Sequence, residues 1–395
     1  MLNTPSTPTP TRTTSPHVCF VALTAYPVLA RRRDLTELGG AQVQQSILAR
    51  ALVRAGIRVT FVCMDYGQPD DIEIDGIRVL KAFGPEEGLR GVRFFHPRIT
   101  GLWSAMARAG ADIYYQRCSG MTTGVVAAFS ALNNKPFIFA GASDLDFSPG
   151  PSPAILPGRR DRAIYRWGLK NATVVIAQNE RQLAMLQESY GLDGVLIPSC
   201  YDGEGLSETE KGPAGDEILW VGMIRPIKRP ELFLEMARRL PELRFRMIGG
   251  PMGSSPDILS FYEHLRREAT LIPNLDFMGF VPYAEIDGYF DRARVFVNTS
   301  EHEGFPNTFL QAWARGIPAI AFFDTGSRVD LVPVYSIIRD VEDAVECLRR
   351  MTSEPSFYQE SASRCAAFFQ RNHSPATTVA RYKVLFDSLL GEKVH

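Results

Sequence analysis

No run of apolar residues in this chain approaches the roughly 18 that a membrane-spanning helix needs, and its first residues lack the apolar centre of a signal peptide. The expectation is a cytoplasmic protein, or one held peripherally at the inner membrane face. Neither sign of charge is in excess: 43 Lys and Arg stand against 44 Asp and Glu, a formal net charge of −1. A globally basic nucleic-acid binder would look different, so no nucleic acid is expected as partner. The six cysteines (Cys19, Cys63, Cys118, Cys200, Cys347, Cys365) are scattered without a CxxC spacing. Cys19 and Cys63 fall in apolar runs that read as buried strands, as expected of reduced core thiols. Six histidines show no metal-ligand spacing, so no metal site is expected.

What is present is alternation. At 395 residues the chain is too long for one ordinary domain and suits two. Residues 1–16 are a Thr/Pro/Ser tail with nothing to bury. A strand at Val18–Leu23, a helix at Ala41–Ala55 and a strand at Ile57–Met64 open a doubly wound sheet; the helix carries Val43, Ile47, Ala51, Leu52 and Ala55 on one face. Asp75-Gly76 between alternating apolar residues marks a hairpin, added at the sheet edge. The alternation then resumes with a helix at Pro97–Ala109 and runs to a strand at Val195–Ile197, interrupted by a Pro/Gly/Ser loop over 141–158. A Gly- and acid-rich linker follows at 201–215. A second alternation begins at Ile218 and ends in three helices without strands between them. The fold class is α/β: two Rossmann-like domains, 17–200 and 216–374, facing each other across a cleft, with helix 375–395 packing back on the first.

Chemistry is expected in Val295–Phe323, VFVNTSEHEGFPNTFLQAWARGIPAIAFF. It reads as strand, polar loop, Pro-started helix, turn and strand. A helix start offers unpaired N–H groups and partial positive charge, and a preceding glycine lets a ligand approach closely. The anion site is therefore sought at Gly304, Phe305, Pro306, Asn307 and Thr308.

Glu303-Gly304-Phe305-Pro306-Asn307, followed by Leu310, Ala312, Ala314, Gly316, Pro318 and Ala319, resembles the signature of the family 4 glycosyltransferases, retaining enzymes of the GT-B fold. Trp220-Val221-Gly222 with Lys228 is similar to the start of that family's donor-binding domain. Ile248-Gly249-Gly250-Pro251 resembles its glycine turn, and Gly279-Phe280-Val281 the segment beside the nucleotide base. Leu38-Gly39-Gly40-Ala41 resembles the Gly-Gly at the first helix of the acceptor domain. The family carries two glutamates separated by seven residues; here Glu303 is followed after the same interval by Gln311. The resemblance implies that Glu303 orients the donor sugar and that position 311 meets the ribose, where Gln offers one acceptor oxygen in place of two. On that reading Gln311→Glu raises donor affinity.

Two further positions depart from the pattern. Met223 stands where the family usually has Arg, and Arg225 with Lys228 is the substitute pair for neutralising the diphosphate. After the strand at Phe137–Phe139 the family often has a His, where this chain reads Ala140-Gly141-Ala142-Ser143-Asp144-Leu145-Asp146, so Ser143 and Asp144 become acceptor-side candidates beside Gly39 and Gly40. Arg31-Arg32-Arg33 reads as a solvated charge run, or as contact with a lipid-linked phosphate or a membrane surface. Arg90, Arg93, Arg98 and Phe94-Phe95 fit the second of these. The expected activity is transfer of a sugar from a nucleoside diphosphate sugar to a hydroxyl of a glycan, lipid-linked or small-molecule acceptor, with retention and without cofactor. The alternative is a catalytically weakened GT-B protein serving as a nucleotide-sugar-binding or partner subunit.

Overall fold

The computed structural model describes residues 15–32, 39–89, 92–149, 156, 158–203, 215–301, 303 and 305–391, apart from the side chain of Ala284. Most of the expected tail, most of the linker, and the candidates Arg33, Leu38, Arg90 and Gly304, with His302 beside Glu303, lie outside the described residues.

Among the described residues the first half alternates strands β1 (His17–Val21), β2 (Arg58–Cys63), β3 (Ile72–Ile74), β4 (Ile77–Lys81), β5 (Ile113–Arg117), β6 (Phe137–Ala140), β7 (Val174–Ala177) and β8 (Val195–Leu196) with six helices. These are α1 (Tyr26–Leu29), α2 (Gly40–Arg54), α3 (Thr100–Ala109), α4 (Met121–Leu132), α5 (Arg159–Lys170) and α6 (Glu180–Tyr190). Among the described residues the strands form one eight-stranded sheet in the order β3-β4-β2-β1-β5-β6-β7-β8. It is parallel except for β3, the outer arm of the expected edge hairpin. Successive side chains of a strand point to opposite faces, and both faces are covered here. Val18, Phe20 and Phe61 enter one core while Cys19, Val21 and Val62 enter another.

The second half supplies β9 (Glu217–Val221), β10 (Arg244–Ile248), β11 (Leu275–Gly279), β12 (Ala293–Asn298), β13 (Ala319–Ala321), β14 (Arg328–Val329), β15 (Val332–Pro333) and β16 (Ser336–Ile337). Its helices are α7 (Pro230–Arg239), α8 (Pro256–Thr270), α9 (Tyr283–Phe290), α10 (Asn307–Ala314), α11 (Val341–Ser353), α12 (Pro355–Asn372) and α13 (Pro375–Gly391). A six-stranded parallel sheet in the order β11-β10-β9-β12-β13-β16 is again buried on both faces. α13 crosses back to the first sheet, where Val379, Tyr382, Phe386 and Leu389 join its core.

The structure differs from the sequence reading at three local points. The helix expected from Pro97 is assigned from Thr100, and residues 97–99 belong to a preceding wider turn, Phe94–Ile99, that is kinked at His96 (φ −128°). The one-turn helix α1 after β1 was not expected; Pro27 in its first turn favours it. Nor were β14, β15 and β16, whose two-residue strands are too short to show a period.

Candidate active site

In the second sheet the strand order reverses between β9 and β12, which lie side by side. That reversal, where two connections leave the C-terminal ends of the strands, is the usual ligand position in such sheets. One connection is Gly222–Arg229 and the other is 299–306. They are stitched together. Trp220 Nε1 donates to Thr299 Oγ1 (2.9 Å), which itself donates to the Lys228 carbonyl (2.6 Å). Arg229 donates from Nε to the Thr299 carbonyl (2.9 Å) and from Nη2 to the Ser300 carbonyl (3.1 Å). Its φ of 44° lies in the left-handed region, which costs a non-glycine residue roughly 1–2 kcal/mol, and the two charged hydrogen bonds offset this. Arg229 is thus a backbone clamp.

The stitching brings Lys228 to Glu303. Their ammonium and carboxylate form an ion pair with side chains only 17% and 15% exposed. Partial burial raises the cost of either charge alone, so each holds the other in place. Ser300 Oγ lies 2.9 Å from the same carboxylate oxygen and 2.6 Å from Asn298 Oδ1, sharing one proton between two acceptors. Asn298 and Ser300 were not among the sequence candidates. Arg225 does not join the pair. Its guanidinium reaches the Met252 sulfur at 3.4 Å, and its Nε is buried without a hydrogen-bond partner.

The glycine candidates sit where three strand ends crowd. Gly222 N donates to the Ile248 carbonyl (3.0 Å) and Gly249 N to the Gly279 carbonyl (2.8 Å). A Cβ on Gly249 would stand 1.9 Å from the Gly222 oxygen, so no side chain fits there. Gly250 packs against Phe280, and Val281 lies half-buried at the edge of the adjoining apolar cluster.

Helix α10 is buried almost all round, through Phe309, Leu310, Gln311, Ala312 and Trp313. Pro306 caps it and Thr308 is half-buried in its first turn. Asn307 spans the cleft: its Nδ2 donates to the Gly40 carbonyl (3.1 Å) and its Oδ1 accepts from Gln44 Nε2 (3.0 Å). The starts of α10 and α2, with Gly39 as the N-cap of α2, therefore converge. Two helix starts facing one region add their partial positive charges. Gln311 lies on the same helix. It is 2% exposed and its Nε2 donates to Asp287 Oδ1 at 3.1 Å. That carboxylate oxygen also accepts from the Tyr201 hydroxyl (2.5 Å) and lies 3.3 Å from the Arg315 guanidinium.

Glu303 and Phe305 also line a cleft of about 600 Å³ between the two sheets. Asp144, Gln178 and Arg181 wall it on one side, and Asp324, Arg328 and His373 on the other. Asp144 faces this space. Asp146 does not, because it accepts from the backbone N–H groups of Ser119, Ala142 and Ser143 at 2.7–3.0 Å. Ser143 caps the turn that carries Asp144. Neither Arg181 nor Arg328 stood out in sequence, and His373 reaches the cleft only through the packing of α12. Among the described residues no group of three His, Cys, Asp or Glu is placed to hold a metal ion.

Residues 39–198 match the model of the glycosyl transferase 4-like domain, and residues 215–353 that of glycosyl transferases group 1. The chain belongs to the family 4 glycosyltransferases of GT-B fold. It is similar to the D-inositol 3-phosphate glycosyltransferase of Geodermatophilus obscurus, 26% identical over 235 residues that cover 53% of this chain and 52% of that protein. The protein of the same name from Frankia alni is 29% identical over 161 residues, 38% of this chain and 40% of the relative. The matched region thus spans about half the length of these relatives or less. Among solved structures, sucrose-phosphate synthase from Thermosynechococcus elongatus superposes with a TM-score of 0.71 at 18% identity, covering 95% of this chain and 99% of that one. Anabaena HepE in complex with UDP and glucose gives 0.69 at 14% identity, covering 94% and 99%. Such likenesses show the GT-B fold of this family 4 glycosyltransferase. Its Lys228–Glu303 pair lies at the switch point of the second sheet, its Asn307–Gly40 contact across the cleft.

Proposed function

We propose that this family 4 glycosyltransferase moves a sugar from a nucleoside diphosphate sugar to an acceptor hydroxyl with retention of anomeric configuration. The observation that carries the reading is the Lys228–Glu303 pair beside two converging helix starts. The donor diphosphate lies against Lys228 and the start of α10, with Arg225 the second cation and Gly222, Gly249 and Gly250 allowing close approach. That HepE is described in complex with UDP and glucose supports a donor of this kind.

In the reaction the bond between the anomeric carbon and the diphosphate oxygen breaks, and its electron pair leaves on the diphosphate. Lys228 and the helix starts stabilise that charge as it grows. The acceptor oxygen bonds to the anomeric carbon from the same face. Its proton passes to the departing phosphate oxygen, so no covalent protein intermediate is formed. Glu303 turns from Lys228 to the donor sugar hydroxyls. Asp144, on the facing wall, holds the acceptor, a glycan, a lipid-linked sugar or a small polyol. Charge neutralisation by these groups requires neither metal nor cofactor.

Incubation with a panel of nucleoside diphosphate sugars and an acceptor mixture, read as released nucleotide, tests the proposal. Release that depends on acceptor is expected. Absence of turnover and of donor binding across the panel contradicts it.

A further inference from the structure

A second depression, sharing no residue with the cleft, lies between α4, α5 and the Phe94–Ile99 turn. It encloses about 440 Å³ and is walled by Phe94, Ile99, Trp103, Val125, Ile164 and Trp167, with no charged side chain among the residues that line it. Apolar side chains continue outward from its walls: Phe95 is 65% exposed and Trp167 48%. Leu132, one helical turn beyond the wall residue Ala128, is 74% exposed. Exposed aromatic and aliphatic surface gathered in one place is unfavourable in water and marks a contact surface.

The charge beside it is one-sided. α5 carries Arg159, Arg160, Arg162, Arg166 and Lys170 against the single acid Asp161, in a chain whose formal net charge is −1. Arg159, Arg160, Arg166 and Lys170 are exposed, and the Arg160 guanidinium lies 3.8 Å from the centroid of the Phe94 ring. The opposite side of α5 is fixed inward. Tyr165 is fully buried and donates to the Asp146 carbonyl at 2.6 Å, in the turn that carries Asp144 into the cleft.

An apolar trough, half-exposed aromatic rings and a row of cations together match the headgroup region of an anionic bilayer. There Trp and Phe settle at the interface, and Lys and Arg extend toward phosphate. We propose that the α4–α5 face docks this protein on an anionic membrane surface, with Trp167 and Phe95 inserted and Arg159, Arg166 and Lys170 on lipid phosphates. A second copy of the chain fits less well, because it would set the two arginine rows against each other. Among the described residues no helix is long and apolar enough to cross a membrane, so the attachment is peripheral. α5 then faces the bilayer with one side while its other side supports a wall of the cleft.

Flotation of the full chain with vesicles tests this, and its outcome does not depend on glycosyl transfer. The protein should float with vesicles containing about one third phosphatidylglycerol and not with pure phosphatidylcholine. Trp167→Ser with Phe95→Ser, and separately Arg166→Glu with Lys170→Glu, should each lower the bound fraction about tenfold or more. Both pairs are surface positions, and an unchanged thermal melt confirms that the variants fold. Three results overturn the proposal: no flotation with anionic vesicles, equal binding by wild type and both variants, or dimerisation in solution that the Trp167 variant abolishes.

Discussion

The ammonium of Lys228 and the carboxylate of Glu303, 75 positions apart in sequence, form one ion pair at the point where the strand order reverses between β9 and β12. The cation suited to a diphosphate is thus already neutralised by the acid suited to a sugar. On the proposed function a donor separates the two, and its phosphate and its hydroxyls compensate both at once.

Glu303→Gln removes the competitor for Lys228. Binding of UDP, used as a probe, should tighten severalfold in isothermal titration, while sugar transfer falls by about 10² or more. Weaker UDP binding would mean that Glu303 supports the phosphate site rather than competing with it.

Lys228→Met should act in the opposite sense on binding. UDP affinity drops, and turnover falls by roughly 10²–10³, with the fold intact because Thr299 holds the Lys228 carbonyl and Arg229 reaches the Thr299 and Ser300 carbonyls with its own side chain, so neither stitch uses the Lys228 side chain. Turnover within a factor of about two of wild type would shift the role of leaving-group cation to Arg225.

Gln311→Glu, expected from sequence to raise donor affinity, is placed differently by the hydrogen bond from Gln311 Nε2 to Asp287. A carboxylate at position 311 cannot donate that bond and sets like charge against Asp287, with Arg315 the nearby cation. The variant should lose about 1–3 kcal/mol of stability in denaturant unfolding. Unchanged stability with tighter donor binding would support the ribose role.

Acid should destabilise the protein partly through His373. The ring is buried, stacks on Phe305 at 4.9 Å and holds the Ser199 carbonyl through Nδ1 at 2.7 Å. Burial pushes its imidazole down to about 4 from an ordinary 6.5. Between those values the unfolded chain binds the proton and the folded one does not. The stabilising contribution is therefore complete above the unfolded value and is lost as pH falls toward the folded one, at up to about 1.4 kcal/mol per pH unit. His17, also pushed down to about 4, acts in the same direction. His373→Asn keeps a donor toward Ser199 and should flatten the pH slope of the unfolding midpoint; an identical slope would remove His373 from the account.

The two sheets were legible because their strands are largely apolar runs, such as Ile57–Met64 and Val295–Val297, separated by helices with one apolar face. Lys228 and Glu303 were legible as candidates because each follows a buried strand at a loop that starts a helix. Their pairing was not, since it depends on the left-handed backbone of Arg229 and the Thr299 hydroxyl, neither of which leaves a periodic signal. Gln311 was read from its spacing to Glu303, whereas its partner Asp287 sits on a different helix. The basic and aromatic residues near Phe94 pointed to a membrane-facing patch, but Trp167 joins them only when α5 packs beside α4.

The most direct test of the account is the anomeric configuration of the first-formed product, followed by proton NMR during turnover of the donor that the nucleotide-sugar panel identifies. The account predicts a new glycoside with the same anomeric configuration as the donor sugar, appearing together with free nucleoside diphosphate. A first product of inverted configuration, or nucleotide release without any glycoside, would contradict it.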